Sequence, residues 1–492
     1  MIPEQPSRRP LAWLAAITAL AAVLRLYRIG SDLWLDEIAT VLDYRDGSWL
    51  DVFTVFKSLN NHPLNSLLVK AMVGIFGPAE WAVRLPAALF GIATVPAVYV
   101  LGRVALRGRE ALLAAFLLAV SYHHVFFSQN SRGYTGMLFF GVAGTTFFFR
   151  GLQRNRPSDW VLYAAVMFLA IASVLQAVFL VAGHAIAYAG GALFPGDWRR
   201  PARLAATRAV AAWAAAGLLS IGVYSKLLPK LKAFSDATFR SAAGGYSPFS
   251  AEFWGELAGG LAAGIGAKTF LALLPFAAVG GAGLLLFFRR NIFYTTVLVS
   301  PLAVTAVYLL LQRFHFTPRF FLWALPAAWI LTAASVGALE ATPVGRAAGM
   351  ARLLPVAVAA GFAALAAISL PGYYRTPKQP NRVSLDWVLA RRAAGEPVVA
   401  AYMAKWGLRF YGPPRGLVPG GTFEANDAGE LAAAERASAG KKIWLLTTFS
   451  RGLRLERSGL DSYIREHYRE QIRFPATVGD ASVTVWTREP GQ

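Results

Sequence analysis

The chain has 492 residues, of which 56% are hydrophobic and only 15% are charged, and it contains no cysteine. Apolar runs recur from residue 11 to residue 371, many of them near the roughly 20 residues that cross hydrocarbon, which excludes a soluble protein and a protein with a single anchor. The absence of cysteine excludes a disulfide framework and a thiolate zinc site. The net charge of +21 is divided among short segments between the apolar runs, which argues against nucleic acid as a partner.

The first apolar run, residues 11–24, has two interpretations. It follows Arg8 and Arg9 and ends near a small-residue pattern at 19–21, as a signal peptide does. We favour an uncleaved first span, because residues 25–28 continue the run as an interfacial end with two arginines.

Arginine clusters between the apolar runs set the predicted topology. The positive-inside rule assigns such clusters to the cytoplasm, so the amino terminus is expected there and residues 28–62 form the first outer loop. The clusters are Arg103, Arg107 and Arg109; Arg150, Arg154 and Arg156; Arg199, Arg200, Arg203 and Arg208; Arg289 and Arg290; and Arg346 and Arg352. The acids of the outer loop are Asp32, Asp36, Glu37, Asp43, Asp46 and Asp51.

The remaining runs predict a many-helix membrane domain. Residues 64–77 are apolar but short and contain Lys70, which indicates an interfacial or re-entrant helix. We predict about 11–13 transmembrane helices. A count of eleven places the carboxyl terminus outside. The eleven predicted spans are 11–24, 82–102, 111–127, 134–149, 160–175, 177–193, 209–225, 269–288, 292–311, 319–338 and 353–371.

Two outer segments follow from this topology. Residues 226–266 form a long outer loop that begins with Lys226, Lys230 and Lys232. After residue 371 helical patterns such as "SLDWVLARRAA" and "SYIREHYREQI" alternate with strand-like runs such as "EPVVAAYM", "KKIWLLTTF" and "SVTVWTR". We therefore predict an all-α transmembrane domain over 1–371 and a soluble extracytoplasmic α/β domain over 372–492.

The pair Asp36-Glu37 is the main catalytic candidate. A carboxylate beside a membrane is often only solvated loop charge. This pair lies between Trp34-Leu35 and Ile38-Ala39, however, and a purely solvated turn does not need such an apolar setting. An acid held there suits a general base toward an incoming hydroxyl or amine. Asp32 is left unassigned.

Other polar residues mark the predicted outer ends of spans. His62 before Pro63 is either a plain helix start or part of a polar or metal site. Arg84 lies at the outer end of a span, where snorkelling is the simple alternative. Arg132 and Tyr134 lie in "SQNSRGY", which fits a polar cavity or a hydrated loop tip. Arg132 suits an anionic ligand or a partner for Asp36.

The segment 312–326, "QRFHFTPRFFLWALP", adds Arg313, His315 and Arg319 at another outer boundary. A guanidinium at headgroup depth suits a lipid phosphate, and nonspecific headgroup anchoring is the alternative.

In order, these segments resemble the GT-C glycosyltransferase superfamily, in particular protein O-mannosyltransferases and the lipid A aminoarabinose transferase. The shared features are the early "DE" of Asp36-Glu37, an "HPPL"-like turn at 62–64, "RLPSALFG"-like residues at 84–91, "SQEARPY"-like residues at 128–134 and an "RYLLPALP"-like segment at 319–326. The resemblance covers residues 11 to about 150 well and 313–330 moderately.

The resemblance implies an inverting transfer of a sugar from a polyprenyl-phosphate donor to an extracytoplasmic acceptor. Asp36 would be the base, Glu37 would orient it or the acceptor, and outer-face cations would hold the departing lipid phosphate. The substrate and phosphate candidates are His62, Arg84, Arg132, Tyr134, Lys226, Arg313 and Arg319. The acceptor is left open among a protein hydroxyl, lipid A or lipopolysaccharide, and a polysaccharide.

The sequence departs from the family pattern at two positions. Leu64 replaces the second proline of "HPPL", and Asn130 replaces the usual acid of the "SQEAR"-like turn. Because Asn130 removes one carboxylate, a two-acid or carboxylate–metal scheme is in doubt. No cofactor is required by the sequence, and a divalent metal is left open.

The alternative from another functional class is a transporter or flippase of lipid-linked sugars. It predicts ionisable residues near the span midplanes and internal symmetry, whereas the charges here cluster at outer ends. The expected location is the inner, cytoplasmic membrane as a multi-pass protein, with the active site and carboxyl-terminal domain on the periplasmic or extracellular side. The expected partners are the lipid-linked donor, the acceptor and membrane lipids.

Overall fold

The computed structural model describes residues 8–58, 60–235, 251, 254–255, 258–259, 274–312, 321–343, 345, 350–438 and 440–490. The chain forms two compact units. The helical unit comprises Met1–Ile29, Gly47–Met72 and Arg84–Leu370, and the α/β unit comprises Gly30–Asp46, Val73–Val83 and Pro371–Gln492. The acids Asp32, Asp36 and Glu37 therefore belong to the same unit as the carboxyl-terminal residues.

Sixteen described α-helices lie between residues 8 and 375. They are α1 (Arg8–Leu26), α2 (Leu35–Tyr44), α3 (Asp51–Thr54), α4 (Pro63–Phe76), α5 (Glu80–Gly102), α6 (Gly108–Val120), α7 (Tyr122–Ser128), α8 (Tyr134–Arg154), α9 (Pro157–Ser173), α10 (Val178–Leu193), α11 (Arg199–Tyr224), α12 (Leu228–Ser235), α13 (Leu274–Arg290), α14 (Ile292–Gln312), α15 (Ala324–Glu340) and α16 (Met350–Arg375). A 3₁₀ turn, Leu175–Ala177, precedes α10.

Six described helices are long and apolar enough to cross a membrane, and α6 with α7 forms a seventh if this pair, bent by 59°, is one broken span. The six are Arg9–Leu26, Glu80–Gly102, Leu175–Leu193, Arg199–Tyr224, Ile292–Gln312 and Leu353–Arg375. Helix α4 has 14 residues, a length that suits the predicted interfacial or re-entrant helix. The predicted class, a polytopic helical membrane protein with a carboxyl-terminal α/β part, is confirmed, while the count of 11–13 spans stays a prediction.

A buried hydrogen-bond chain joins α8, α9, α10 and α11 inside the helical unit. Thr145 Oγ1 donates to the Gly141 carbonyl, so the same oxygen accepts from His184 Nε2 at 3.2 Å. His184 Nδ1 then accepts from the Tyr163 hydroxyl at 3.1 Å, and that hydroxyl oxygen accepts from Trp213 Nε1 at 3.1 Å. Each polar group has a partner, as a low-dielectric interior requires.

The α/β unit ends in a five-stranded sheet. Its later elements are α17 (Asn381–Leu389), β1 (Val398–Ala401), α18 (Ala404–Tyr411), β2 (Thr422–Ala425), α19 (Ala428–Ala437), β3 (Ile443–Thr448), α20 (Ser450–Glu456), α21 (Ser458–His467), β4 (Arg469–Phe474) and β5 (Val483–Arg488). The strand order is β2-β1-β3-β5-β4. Strand β1 pairs in parallel with β2 and β3, whereas β5 runs antiparallel to β3 and β4.

Both faces of the central strands are covered. Val399, Leu445 and their neighbours on one face pack with Leu431 of α19 and Ile464 of α21. The alternate residues of β1 and β3 are also buried, and Trp444 lies with its ring centroid 6.0 Å from that of Trp387 on α17. Because successive strand residues point to opposite faces, this burial pattern makes the centre of the sheet a rigid platform.

Two predicted segments differ from the structure. The segment 28–62, predicted as an outer loop, contains helices α2 and α3, and α2 forms because its apolar residues recur with helical spacing behind an acidic first turn. The helical pattern "SYIREHYREQI" divides into α21 and the exposed strand β4, which carries too few apolar residues for its alternation to indicate a strand.

The hydrogen-bond chain predicts a stability effect at Tyr163. Tyr163→Phe removes the donor to His184 and the acceptor for Trp213, so we expect a loss of about 1–3 kcal/mol in the free energy of unfolding and a lower Tm. Thermal unfolding in detergent measures this, with Tyr99→Phe on α5 as the control. Equal Tm values for the two variants would contradict the assignment.

Candidate active site

Asp36 and Glu37 lie in the first turn of α2, in the α/β unit. Trp34 precedes the helix in an extended conformation, and its backbone N–H donates to Glu37 Oε2 at 3.2 Å. Glu37 is fully buried and its carboxylate caps the helix, whereas Asp36, the residue before it, is half-buried. A helix N-terminus favours negative charge, so both acids occupy a position that stabilises carboxylates. The structure therefore gives the two acids different surroundings.

Asp32, which the sequence left unassigned, is a buried ion-pair partner. Only 3% of the residue is exposed. Its Oδ1 accepts from Arg382 Nε at 3.0 Å, and its Oδ2 accepts from the Arg382 backbone N–H at 2.8 Å. Burial raises the pKa of the Asp32 carboxyl above its ordinary value, and the Arg382 guanidinium acts in the opposite direction. Asp32 thus anchors the acidic loop, residues 30–36, and is more than solvated charge.

Further hydrogen bonds hold the backbone between Asp32 and Asp36. The Leu33 N–H donates to the Tyr411 hydroxyl at 2.8 Å, and the Leu33 carbonyl accepts from Asn381 Nδ2 at 3.0 Å. The Leu35 N–H donates to Gln379 Oε1 at 2.8 Å. The chain immediately before Asp36 is therefore fixed by side chains from residues 379–411.

A second polar cluster lies in the helical unit. His62, 8% exposed, immediately precedes Pro63 at the start of α4, and its ring centroid lies 5.7 Å from that of Tyr134. The Arg132 guanidinium lies 5.2 Å from the Tyr134 ring centroid. Asn65 Nδ2 donates to the Ser131 carbonyl at 3.1 Å. The structure thus brings together three predicted site residues, His62, Arg132 and Tyr134.

Arg84 and Gln129 hold the end of α1. Arg84 is fully buried, and its Nη1 donates to the Ile29 carbonyl at 3.0 Å. Gln129 Nε2 donates to the Arg25 and Tyr27 carbonyls at 2.9 and 2.7 Å. Both side chains therefore fix the backbone that leads out of the first helix.

Arg25 is a structural residue that the sequence indicated only as an interfacial end. It is fully buried, and its guanidinium donates to the carbonyls of Leu118 and Ala119 at 3.2 and 3.0 Å and to His124 Nδ1 at 2.6 Å. These contacts stabilise the carboxyl end of α6 where it breaks before α7. An arginine at a span end gives no sign of inward contacts, so sequence reasoning missed this role.

Close packing explains the "RLPAALFG" and "SQNSRGY" segments. A Cβ atom on Gly91 would lie 2.1 Å from Ser128 Oγ, and one on Gly133 would lie 1.8 Å from the Ser173 carbonyl oxygen. Thr135 Oγ1 donates to the Ala87 carbonyl at 2.8 Å. Gly91 lets α5 approach the end of α7, and Gly133 lets the turn that carries Arg132 approach the end of α9.

Of the other predicted site residues, Lys226 is described by the structure and the rest are not. Lys226 is exposed in the turn between α11 and α12, in the helical unit. Arg313, His315 and Arg319 lie outside the described residues. Within the described ranges, no group of three or more His, Asp or Glu side chains is arranged to hold a metal ion.

An apolar cavity of about 510 Å³ lies between α13 and α14. It contains none of the predicted site residues. Its lining is Gly281, Leu284, Leu285, Phe288, Thr295, Thr296, Val299 and Ser300.

The chain is similar to proteins of known family and structure. Residues 60–223 match the family described as dolichyl-phosphate-mannose-protein mannosyltransferase. No curated protein sequence matches the chain.

The fold resembles ArnT from Cupriavidus metallidurans, in the apo state and bound to undecaprenyl phosphate. Both comparisons have a TM-score of 0.58. The apo structure is 13% identical and covers 98% of this chain and 98% of the ArnT chain. The structure with undecaprenyl phosphate is 15% identical and covers 97% of this chain and 98% of the ArnT chain. Archaeal oligosaccharyltransferase AglB from Archaeoglobus fulgidus, in complex with an inhibitory peptide and a dolichol-phosphate, has a TM-score of 0.54 and 13% identity, covering 96% of this chain and 74% of AglB. At these identities the likeness establishes the fold.

The close packing of Gly91 predicts the effect of a methyl group. Gly91→Ala forces Ser128 to move, so we expect a cost of about 1–3 kcal/mol and a lower Tm. Thermal unfolding in detergent measures it, with Gly74→Ala as the control, since a Cβ on Gly74 meets nothing within 4 Å. Adding Ser128→Gly to Gly91→Ala should recover part of the loss. A Tm for Gly91→Ala equal to that of Gly74→Ala would refute the packing argument.

Proposed function

We propose that this GT-C-type glycosyltransferase, of the protein O-mannosyltransferase and aminoarabinose transferase type, moves a sugar from a polyprenyl-phosphate donor to an extracytoplasmic acceptor. The predicted type is confirmed by the match over residues 60–223 and by the fold shared with ArnT and AglB. Two of those structures hold undecaprenyl phosphate and dolichol-phosphate, which supports a lipid-linked donor for this chain.

The observation that carries the assignment of the base is the difference between Asp36 and Glu37. Glu37 is buried and engaged in capping α2, whereas Asp36 lies half-buried at the same helix N-terminus. We assign Asp36 as the general base and Glu37 as the residue that orders the helix. Asp36 takes the proton of the acceptor hydroxyl, whose oxygen attacks the anomeric carbon from the face opposite the phosphate.

The donor C–O bond breaks as the acceptor bond forms, and its electron pair leaves with the phosphate oxygen. Attack from the opposite face inverts the anomeric configuration. The lipid phosphate is already anionic, so it needs a cation more than a general acid. One carboxylate and one or more guanidinium groups therefore suffice for the reaction.

Arg132 is the described arginine best suited to the phosphate. It is only partly buried, and the Tyr134 ring lies beside its guanidinium, whereas Arg84 is fully buried. His62 and Tyr134 are proposed to orient Arg132 or the substrate. Lys226 and its exposed neighbours Lys230 and Lys232 are proposed to attract anionic headgroups. Arg84, Arg313 and Arg319 stay predicted phosphate ligands.

The location and acceptor belong to the same proposal. The apolar helices establish a multi-pass membrane protein. We propose that it resides in the cytoplasmic membrane with its catalytic residues on the periplasmic or extracellular side. The acceptor is a protein hydroxyl, lipid A or lipopolysaccharide, or a polysaccharide.

Replacement of Asp36 tests the proposed base. Asp36→Asn keeps the shape of the side chain but removes its basicity, so we expect transfer to fall by at least about 100-fold. Transfer is measured with a radiolabelled polyprenyl-phosphate sugar and the cell-envelope fraction as acceptor. Asp43→Asn on the same helix is the matched control. Wild-type turnover by Asp36→Asn would remove Asp36 as the base.

Replacement of Arg132 tests donor binding. Arg132→Ala should raise the apparent KM for the lipid donor by about 10-fold or more, because a charged hydrogen bond to phosphate is lost. Arg132→Lys should be intermediate, since an ammonium lacks the planar fork. Arg154→Ala, at the exposed far end of α8, is the control. An unchanged KM in Arg132→Ala would assign Arg132 to another role.

A further inference from the structure

The segment 379–382 contacts the acidic loop through side chains that converge on residues 30–35. Arg382 contacts Asp32 through its side chain and backbone, and its Nη2 donates to the Gly30 carbonyl at 3.3 Å. Asn381 donates to the Leu33 carbonyl, and Gln379 accepts from the Leu35 N–H. Each contact lies within the α/β unit.

We propose that Gln379, Asn381 and Arg382 are positioning residues that fix Asp36 for proton transfer. This inference rests on the proposed function, because it takes Asp36 as the base. The three side chains contact the loop at Gly30, Asp32, Leu33 and Leu35. They restrict the backbone of the residues before Asp36 and thereby fix the position from which its side chain extends.

Gln379 contacts Leu35, the residue immediately before the proposed base. Leu35 is the first residue of α2, so its N–H has no acceptor within the helix, and Gln379 Oε1 supplies one. Gln379 Nε2 in turn donates to Thr448 Oγ1 at 3.3 Å, and Thr448 Oγ1 donates to the Ala481 carbonyl at 3.2 Å. Thr448 is the last residue of β3, so this chain of hydrogen bonds ties the start of α2 to the sheet.

Arg382 and Tyr411 hold the earlier part of the loop. Arg382 Nη1 lies 3.2 Å from Glu80 Oε1, and the Tyr411 hydroxyl donates to the same oxygen at 3.4 Å while it accepts from the Leu33 N–H. Asp32 and Glu80 therefore share one guanidinium. The loop is held at Gly30, Asp32, Leu33 and Leu35, which leaves little room for α2 to shift.

Catalysis is sensitive to such shifts, since a misplacement of about 1 Å by a residue remote from the chemistry can cost about 100-fold in rate. Loss of a positioning contact should therefore lower kcat, while donor binding, which the proposal assigns to other residues, should change little. A contact that served only global stability would lower Tm and leave kcat per folded molecule unchanged.

The test measures kcat, KM for the polyprenyl-phosphate sugar, and hydrogen–deuterium exchange over residues 30–46 in Gln379→Ala, Arg382→Ala and Arg382→Lys. The control is Arg465→Ala, because Arg465 forms its ion pair with Asp461 within α21. We expect kcat to fall about 10- to 100-fold in both alanine variants, with KM within about twofold. Exchange over 30–46 should rise, Arg382→Lys should recover part of kcat, and Arg465→Ala should match wild type.

The inference is overturned if folded Gln379→Ala and Arg382→Ala both keep kcat within twofold of wild type. Gln379→Ala keeps the test informative if Arg382→Ala does not fold, because it removes hydrogen bonds to Leu35 and Thr448 but no charge. Asp36→Asn, assayed in the same series, separates the two proposals. An active Asp36→Asn refutes the proposed base, whereas an inactive Asp36→Asn beside fully active Gln379→Ala and Arg382→Ala refutes only the positioning role.

Discussion

The ion pair between Asp32 and Arg382 is the constraint on which the placement of the acidic loop depends. Asp32 is almost fully buried, so its charge requires a partner, and Arg382 supplies both its guanidinium and its backbone N–H. The same arginine contacts Gly30 and Glu80. A loop that would otherwise be free to move is thereby attached to a sheet-based unit, which is the kind of rigid support that catalytic residues need.

In the helical unit, too, buried polar side chains form hydrogen bonds with fixed partners. Arg25 is enclosed by backbone carbonyls and His124, and the His184 chain links four helices. Gly91 permits the approach of α5 to Ser128. In a low-dielectric interior such contacts are needed because an unpartnered polar group is costly. The residues around Arg132 therefore stabilise the fold by packing and hydrogen bonding, in addition to the role in catalysis that is proposed for Arg132.

Local patterns predicted much of this structure. Long apolar runs indicated the long helices, and short strand-like runs indicated β1, β3 and β5. The acid pair in an apolar setting indicated a special position for Asp36-Glu37. The partners of the loop were not predictable, because Arg382 lies 350 residues from Asp32 along the chain and nothing local distinguishes it from other arginines. Strand β4 was missed because an exposed, charged strand lacks the alternation that burial imposes.

The central claim is that a sugar is transferred, with inversion, from a polyprenyl phosphate. The most direct measurement uses the purified protein in vesicles with a polyprenyl-phosphate sugar labelled at the anomeric carbon and a cell-envelope fraction as acceptor. The anomeric configuration of the product is read by NMR. We predict loss of label from the lipid and a glycosidic product of inverted configuration. Movement of the intact lipid-linked sugar across the bilayer, with no cleavage of the sugar–phosphate bond, would contradict the account.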